Sequence, residues 1–110
     1  MPNSRVLDTA IAYSQTPIRI TYQQWAHVVE NHDYMAGCLE FVLETLSEPN
    51  FIVDGWETEL IALRAYPKTP ISKKSVVVVF KEAELEGFMI TAFMTSKPGK
   101  ILRRGILWQR

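Results

Sequence analysis

Two apolar runs stand close together in the second half of the chain, Val76 to Phe80 and Phe88 to Met94, with the acidic connection EAELEG (residues 82–87) between them. The first run is four valines and a phenylalanine, a composition that fits a pleated, buried surface better than a helix. A short polar connection ending in Gly87 joins the two as an antiparallel hairpin, with a wider loop than the two-residue types. Neither run alternates cleanly between apolar and polar positions. Both faces must therefore be covered, which makes these the central strands of a sheet.

The remaining pattern arranges itself around that hairpin. Ile18, Arg19 and Ile20 alternate within Pro17–Thr21, as in a short strand. Thr21 is a good N-cap for a helix from Tyr22 to about Asn31, with Gln24 three residues on completing a capping-box pattern. On that helix Trp25, Val28, Val29 and His32 share one face, and His27 points about 150° away, toward solvent. Leu39, Phe41, Val42 and Leu46 mark a second helix from about Met35 to Leu46, with Glu40 and Glu44 outward, ending before Pro49. Phe51 to Val53 reads as a short strand and Asp54-Gly55 as a turn. From Thr58 to Tyr66 the alternation puts Ile61, Leu63 and Ala65 on one face and Arg64 with Tyr66 on the other.

Pro67 to Lys74 is an exposed basic loop, and Leu102 to Trp108 reads as an edge strand or a docked segment inside a basic tail, residues 97–110. Residues 1–16 show no firm period and read as irregular, with the first four frayed. The expected fold is α+β: two N-terminal helices packed on one face of a four- to five-stranded antiparallel sheet, within one domain spanning residues 1–110.

Composition narrows the setting. With 110 residues and 47 % apolar content the chain can bury one core. A single cysteine, Cys38, excludes an internal disulfide, reads as a core residue, and fits a reducing compartment. No stretch has the length or apolarity of a signal sequence or membrane span, so the expected setting is cytoplasmic, without membrane. Net charge is zero, but residues 1–63 carry nine acids against two bases, −7, and residues 64–110 carry ten bases against three acids, +7. The basic half is suited to a polyanion such as RNA; equally, it could be one layer of a fold whose other layer is acidic.

Phosphate-binding glycine loops, nucleophile elbows and metal-ligand spacings are absent, so neither metal nor cofactor is expected. What remains is His32 or His27, Arg64, Tyr66, Thr91, Thr95 and scattered lysines. Such a set suits RNA cleavage through the ribose 2′-hydroxyl. A histidine titrates near neutrality and moves a proton, a cation holds the phosphate as charge builds, and hydroxyl groups orient it. Each residue also has an ordinary structural role: His32 as a core histidine, Arg64 paired with a helical acid, the threonines as strand residues. Lys73, Lys74, Lys81, Lys97, Arg103 and Arg104 are the expected substrate-binding cations.

The segments ITYQQWAHVVENHDYMAG, LETLSEPNFIV, LIALRAY, VVVVFKE and GFMITAFMTSKP follow one another between Ile18 and Pro98. In this order the chain resembles the phage and bacterial nuclease-like domains grouped with barnase, EndoU, colicin-type tRNases and RelE-type toxins. The resemblance implies a metal-independent endoribonuclease or RNase-like toxin domain. It implies His32 as the proton-transfer residue with His27 second, Arg64 as the phosphate contact, and Thr91 and Thr95 lining the site. RNA is the implied partner, with a protein inhibitor or antitoxin as a further one. The other reading is a catalytically inactive RNA- or protein-binding module of the same fold.

Overall fold

The computed structural model describes residues 5–110. The hairpin expected at the centre is there: β5 (Lys74–Glu82) and β6 (Gly87–Thr95) pair antiparallel, and Val76 to Phe80 are all buried. Consecutive β-branched side chains on β5 serve two cores. Val76, Val78 and Phe80 face one, Val77 and Val79 the other. Each such fully buried side chain is worth about 1.5–3 kcal/mol relative to exposure, which is why this run fixes the centre of the sheet.

The sheet around it is larger than expected and is not purely antiparallel. Seven strands run in the order β1-β2-β6-β5-β4-β3-β7, with β1 at Val6–Ile11, β2 at Pro17–Thr21, β3 at Phe51–Asp54, β4 at Leu60–Tyr66 and β7 at Ile106–Gln109. All neighbours are antiparallel except β2 and β6, which run parallel. The expectation of a four- to five-stranded antiparallel sheet is therefore corrected in strand count and in direction. Residues 6–11 escape a period reading because β1 is an edge strand on which Ala10 alone is buried, so its pairing with β2 rests on the backbone. At the opposite edge β7 pairs with β3, drawing part of the basic tail into the sheet, and Trp108 packs into the main core with its ring 5.3 Å from that of Tyr13. The expectation of a frayed terminus at residues 1–4 lies outside the described residues.

Gly87 sits where β2, β5 and β6 meet. A Cβ there would run into the Lys81 carbonyl oxygen of β5 and would sit 2.8 Å from Ile18 Cδ1 of β2. Only glycine lets β6 start this close to the β5 backbone.

Helices α1 (Tyr22–Asn31) and α2 (Leu39–Ser47) cover one face through Val28, Val42 and Leu46. Thr21 caps α1 as its sequence suggests, its side chain accepting the Gln24 N–H at 3.1 Å. The Gln24 side chain does not complete a capping box; it donates instead to the Ile90 carbonyl on the open edge of β6. The second helix starts later than expected. A 3-10 turn at Asp33–Met35 precedes it, and Gly37 takes a left-handed φ of 79° between the two. A third helix, α3 (Gly99–Leu102), lies on the other face, where Ile101 and Leu102 pack against the smaller core. Among the described residues no helix is long and apolar enough to cross a membrane.

Candidate functional site

Strand alternation divides the candidate residues between the two faces. Arg64 pairs across to Val76 and thence to Met94, so it lies on the face covered by α1 and α2. Its Nη1 donates to the Glu48 carbonyl at 2.6 Å, its Nε sits 3.5 Å from Glu44 Oε1, and its guanidinium lies 5.6 Å from the Tyr66 ring centre. Glu48 is the C-cap of α2, a helix with no basic residue in its last turn, so Arg64 supplies the cation that this helix end lacks. Tyr66 is 9 % exposed and donates to Glu44 Oε1 at 2.6 Å. Burial first, and the Glu44 hydrogen bond second, push its hydroxyl up to about 12. Arg64 and Tyr66 thus form one cluster that ties α2 to β4.

Thr91 and Thr95 lie on the opposite face. Thr91 pairs with Val79 and Thr95 with Ser75, on either side of Phe93, whose partner is Val77. Thr95 Oγ1 accepts the Lys97 N–H at 3.0 Å. His32, the C-cap of α1, is half-buried with its ring 5.7 Å from that of Phe93. The sheet therefore brings His32 to the ring that separates the two threonines. It separates the two threonines from Arg64. His27 is exposed on the outer side of α1, lining a shallow depression with Tyr22 and Glu30.

Tyr34, which the sequence did not single out, holds His32 to the sheet. Its hydroxyl lies 3.4 Å from His32 Nδ1 and accepts the Met94 N–H at 3.1 Å, closing part of the β6 edge that β2 leaves open. Cys38 is buried and bonds the Tyr34 carbonyl at 3.5 Å, and burial pushes its thiol up, as for an inert core thiol.

Two cavities lie beside Thr95. One, of about 460 Å³, has an apolar floor of Ile61, Val77, Val79 and Phe93 and a rim carrying Lys97, Lys100 and Arg104. The other, of about 450 Å³, is lined by Lys73, Lys74, Ser75 and Thr95 among others. Expected cations thus line these hollows, together with Lys100, which was not expected. Lys81 is exposed at the end of β5, near Glu59, whose carboxyl is held below its usual value first by the Glu57 N–H. Arg103 is exposed at the end of α3.

Arg104 is the most constrained of these cations. Its Nε donates to the Asp54 carbonyl at 3.2 Å and its Nη2 to the Gly55 carbonyl at 3.0 Å, and it stacks 4.5 Å over Trp56, which also lines the larger cavity.

Comparison with known proteins adds nothing to this geometry. No family model, curated protein or solved structure matches the chain. Among the described residues no three His, Cys, Asp or Glu side chains converge as metal ligands. The chemistry open to the second face is that of two hydroxyls and a row of cations beside an aromatic ring, against which His32 packs.

Proposed function

We propose that this chain is a metal-independent RNase-like domain that takes RNA on the sheet face opposite α1 and α2. One observation carries the reading: His32 packs against Phe93, which stands between Thr91 and Thr95 on β6, and Phe93 and Thr95 line cavities that also carry Lys73, Lys74, Lys97 and Lys100. A basic surface with an aromatic platform is what a single strand requires, phosphates on the cations and bases on the rings. The resemblance to the barnase, EndoU, colicin and RelE group points the same way.

In the proposed reaction His32 takes the proton from a ribose 2′-hydroxyl as that oxygen bonds to the adjacent phosphorus. The phosphorus–5′-oxygen bond then breaks, and His32 returns the proton to the leaving 5′-oxygen. The products are a 2′,3′-cyclic phosphate and a free 5′-hydroxyl. Charge on the phosphoryl oxygens is met by Lys97 and the threonine hydroxyls, because Arg64 is engaged on the other face.

That engagement also supports a second reading, a module that binds RNA without cutting it, since the guanidinium assigned to the phosphate is out of reach. Incubation with total tRNA and a single-stranded RNA in EDTA, for wild type and His32→Ala, decides between them. The expected result is cyclic-phosphate products with wild type and a loss of about 10²–10⁴-fold in the variant, the usual weight of general acid–base catalysis. Full-length RNA with wild type, or equal cleavage by the variant, refutes the catalytic assignment.

A further inference from the structure

The larger cavity is built differently from the strip around His32. Trp56 is 66 % exposed, a large ring with one apolar face left open beside an N–H donor. Arg104 covers one side of it and is itself fixed by two backbone carbonyls, so the ring is held in place from the protein side. The cavity that Trp56 lines has no acidic residue in its lining, an aliphatic floor, and Lys97 and Lys100 at its rim. Its volume of about 460 Å³ falls within the range of pockets that take small organic ligands, about 300–1,000 Å³. A ligand complementary to it has a flat, weakly polar body and an anionic group a few ångströms away.

We propose that this cavity is a subsite for one nucleotide of a single-stranded RNA, its base against Trp56 and the aliphatic floor and its phosphate on Lys97 and Lys100. The proposal deepens the reading that RNA lies on this face and depends on it for the choice of ligand. It does not depend on cleavage. Thr95 contributes to both cavities, so a strand whose base occupies the Trp56 subsite carries its neighbouring phosphate past Thr95.

The test is a titration of the full chain with a 3′-mononucleotide, followed through the Trp56 indole N–H cross-peak, which Trp56→Phe assigns among the three tryptophans. The nucleoside alone and inorganic phosphate alone serve as separate arms. The expected result is a saturable shift of the Trp56 peak at millimolar nucleotide or below, with each half-ligand binding at least ten-fold more weakly. Trp56→Ala should weaken nucleotide binding ten-fold or more, consistent with about 1–3 kcal/mol per stacked base. Because Trp56 is exposed, that variant keeps its core. An unmoved Trp56 peak, or equal binding of nucleotide and inorganic phosphate, overturns the subsite. RNA cleavage without the Trp56 response would refute the subsite and leave the RNase reading standing. A Trp56 response without cleavage would do the reverse.

Discussion

Replacing Arg64 by alanine separates the two roles that a lone strand arginine can have, and the structure assigns a size to the effect. Three interactions go at once: the charge-assisted bond to the Glu48 carbonyl, the ion pair with Glu44 and the stacking on Tyr66. A hydrogen bond to a charged group is worth about 1.5–3 kcal/mol. The Glu44 pair is half-exposed at its acidic end, which limits it to about 0–1 kcal/mol. Cation–π stacking on a partly covered ring adds about 0.5–1 kcal/mol. These terms share one side chain and cannot simply be added. The expected loss is about 2–3 kcal/mol, and for a domain of this size about 4 °C of melting temperature goes with each kcal/mol.

Urea denaturation followed by tryptophan fluorescence measures the loss, and RNA affinity at 25 °C is measured on the folded variant in parallel. The clamp role expects a lower midpoint with an unchanged slope, and RNA affinity within two-fold of wild type. Glu44→Gln should then recover part of the loss when combined with Arg64→Ala, because the two share one interaction. A stability change below about 0.5 kcal/mol, the level of an ordinary surface substitution, would refute the clamp. A ten-fold loss of RNA affinity in the folded variant would also refute it, and would return Arg64 to the phosphate.

Tyr66→Phe should change how stability depends on alkaline pH. The folded hydroxyl is raised to about 12 from an ordinary 10, so above pH 10 the unfolded chain loses a proton that the native state keeps. That contribution is complete below pH 10 and is lost as pH rises toward 12. The wild-type advantage over the phenylalanine variant should shrink by about 2–3 kcal/mol across that window, and parallel stability curves would exclude a Tyr66 hydroxyl raised by burial and by Glu44. Gly87→Ala should cost more than the roughly 1 kcal/mol typical of a substitution, because its Cβ meets a backbone carbonyl that cannot rotate away. Thermal unfolding within 2 °C of wild type would mean that β6 does not start this close to the β5 backbone.

What the sequence disclosed and what it hid follow from the range of the interactions. The central hairpin was legible because four valines and a phenylalanine buried on both faces leave a composition signal with no competitor. The faces of β4 were legible because alternation is local, and the pairing of Arg64 with Tyr66 on one side followed from it. The edge strands were not. In β1 Ala10 alone is buried, and β7 spans four residues after a turn at Gly105, whose φ of 123° suits glycine. The partner of β7, β3, lies far away in sequence, so nothing local announces that pairing, and β1, though only a short turn from β2, carries no apolar period to reveal it. The side of the sheet on which a candidate falls also depends on which face the helices cover. Arg64, Thr91 and Thr95 could each be placed on a strand from the sequence, but only the register between β4, β5 and β6 shows that Arg64 and the threonines look in opposite directions.

The charge division of the chain takes on a meaning in three dimensions that a linear count does not have. Opposite halves of a sequence would be expected to neutralise one another if they packed together. Here the sheet lies between much of the two charges. Glu40, Glu44 and Glu48 line a shallow depression over α2 on one side, and Lys73, Lys74, Lys97, Lys100 and Arg104 line the cavities on the other. A net charge of zero therefore coexists with a strongly polarised molecule. Such a molecule presents its basic face to a polyanion and turns its acidic face away, so orientation is set before contact. That is the electrostatic requirement of the proposed RNA site. The decisive quantity is the field at the second face, where the cations stand around Thr95.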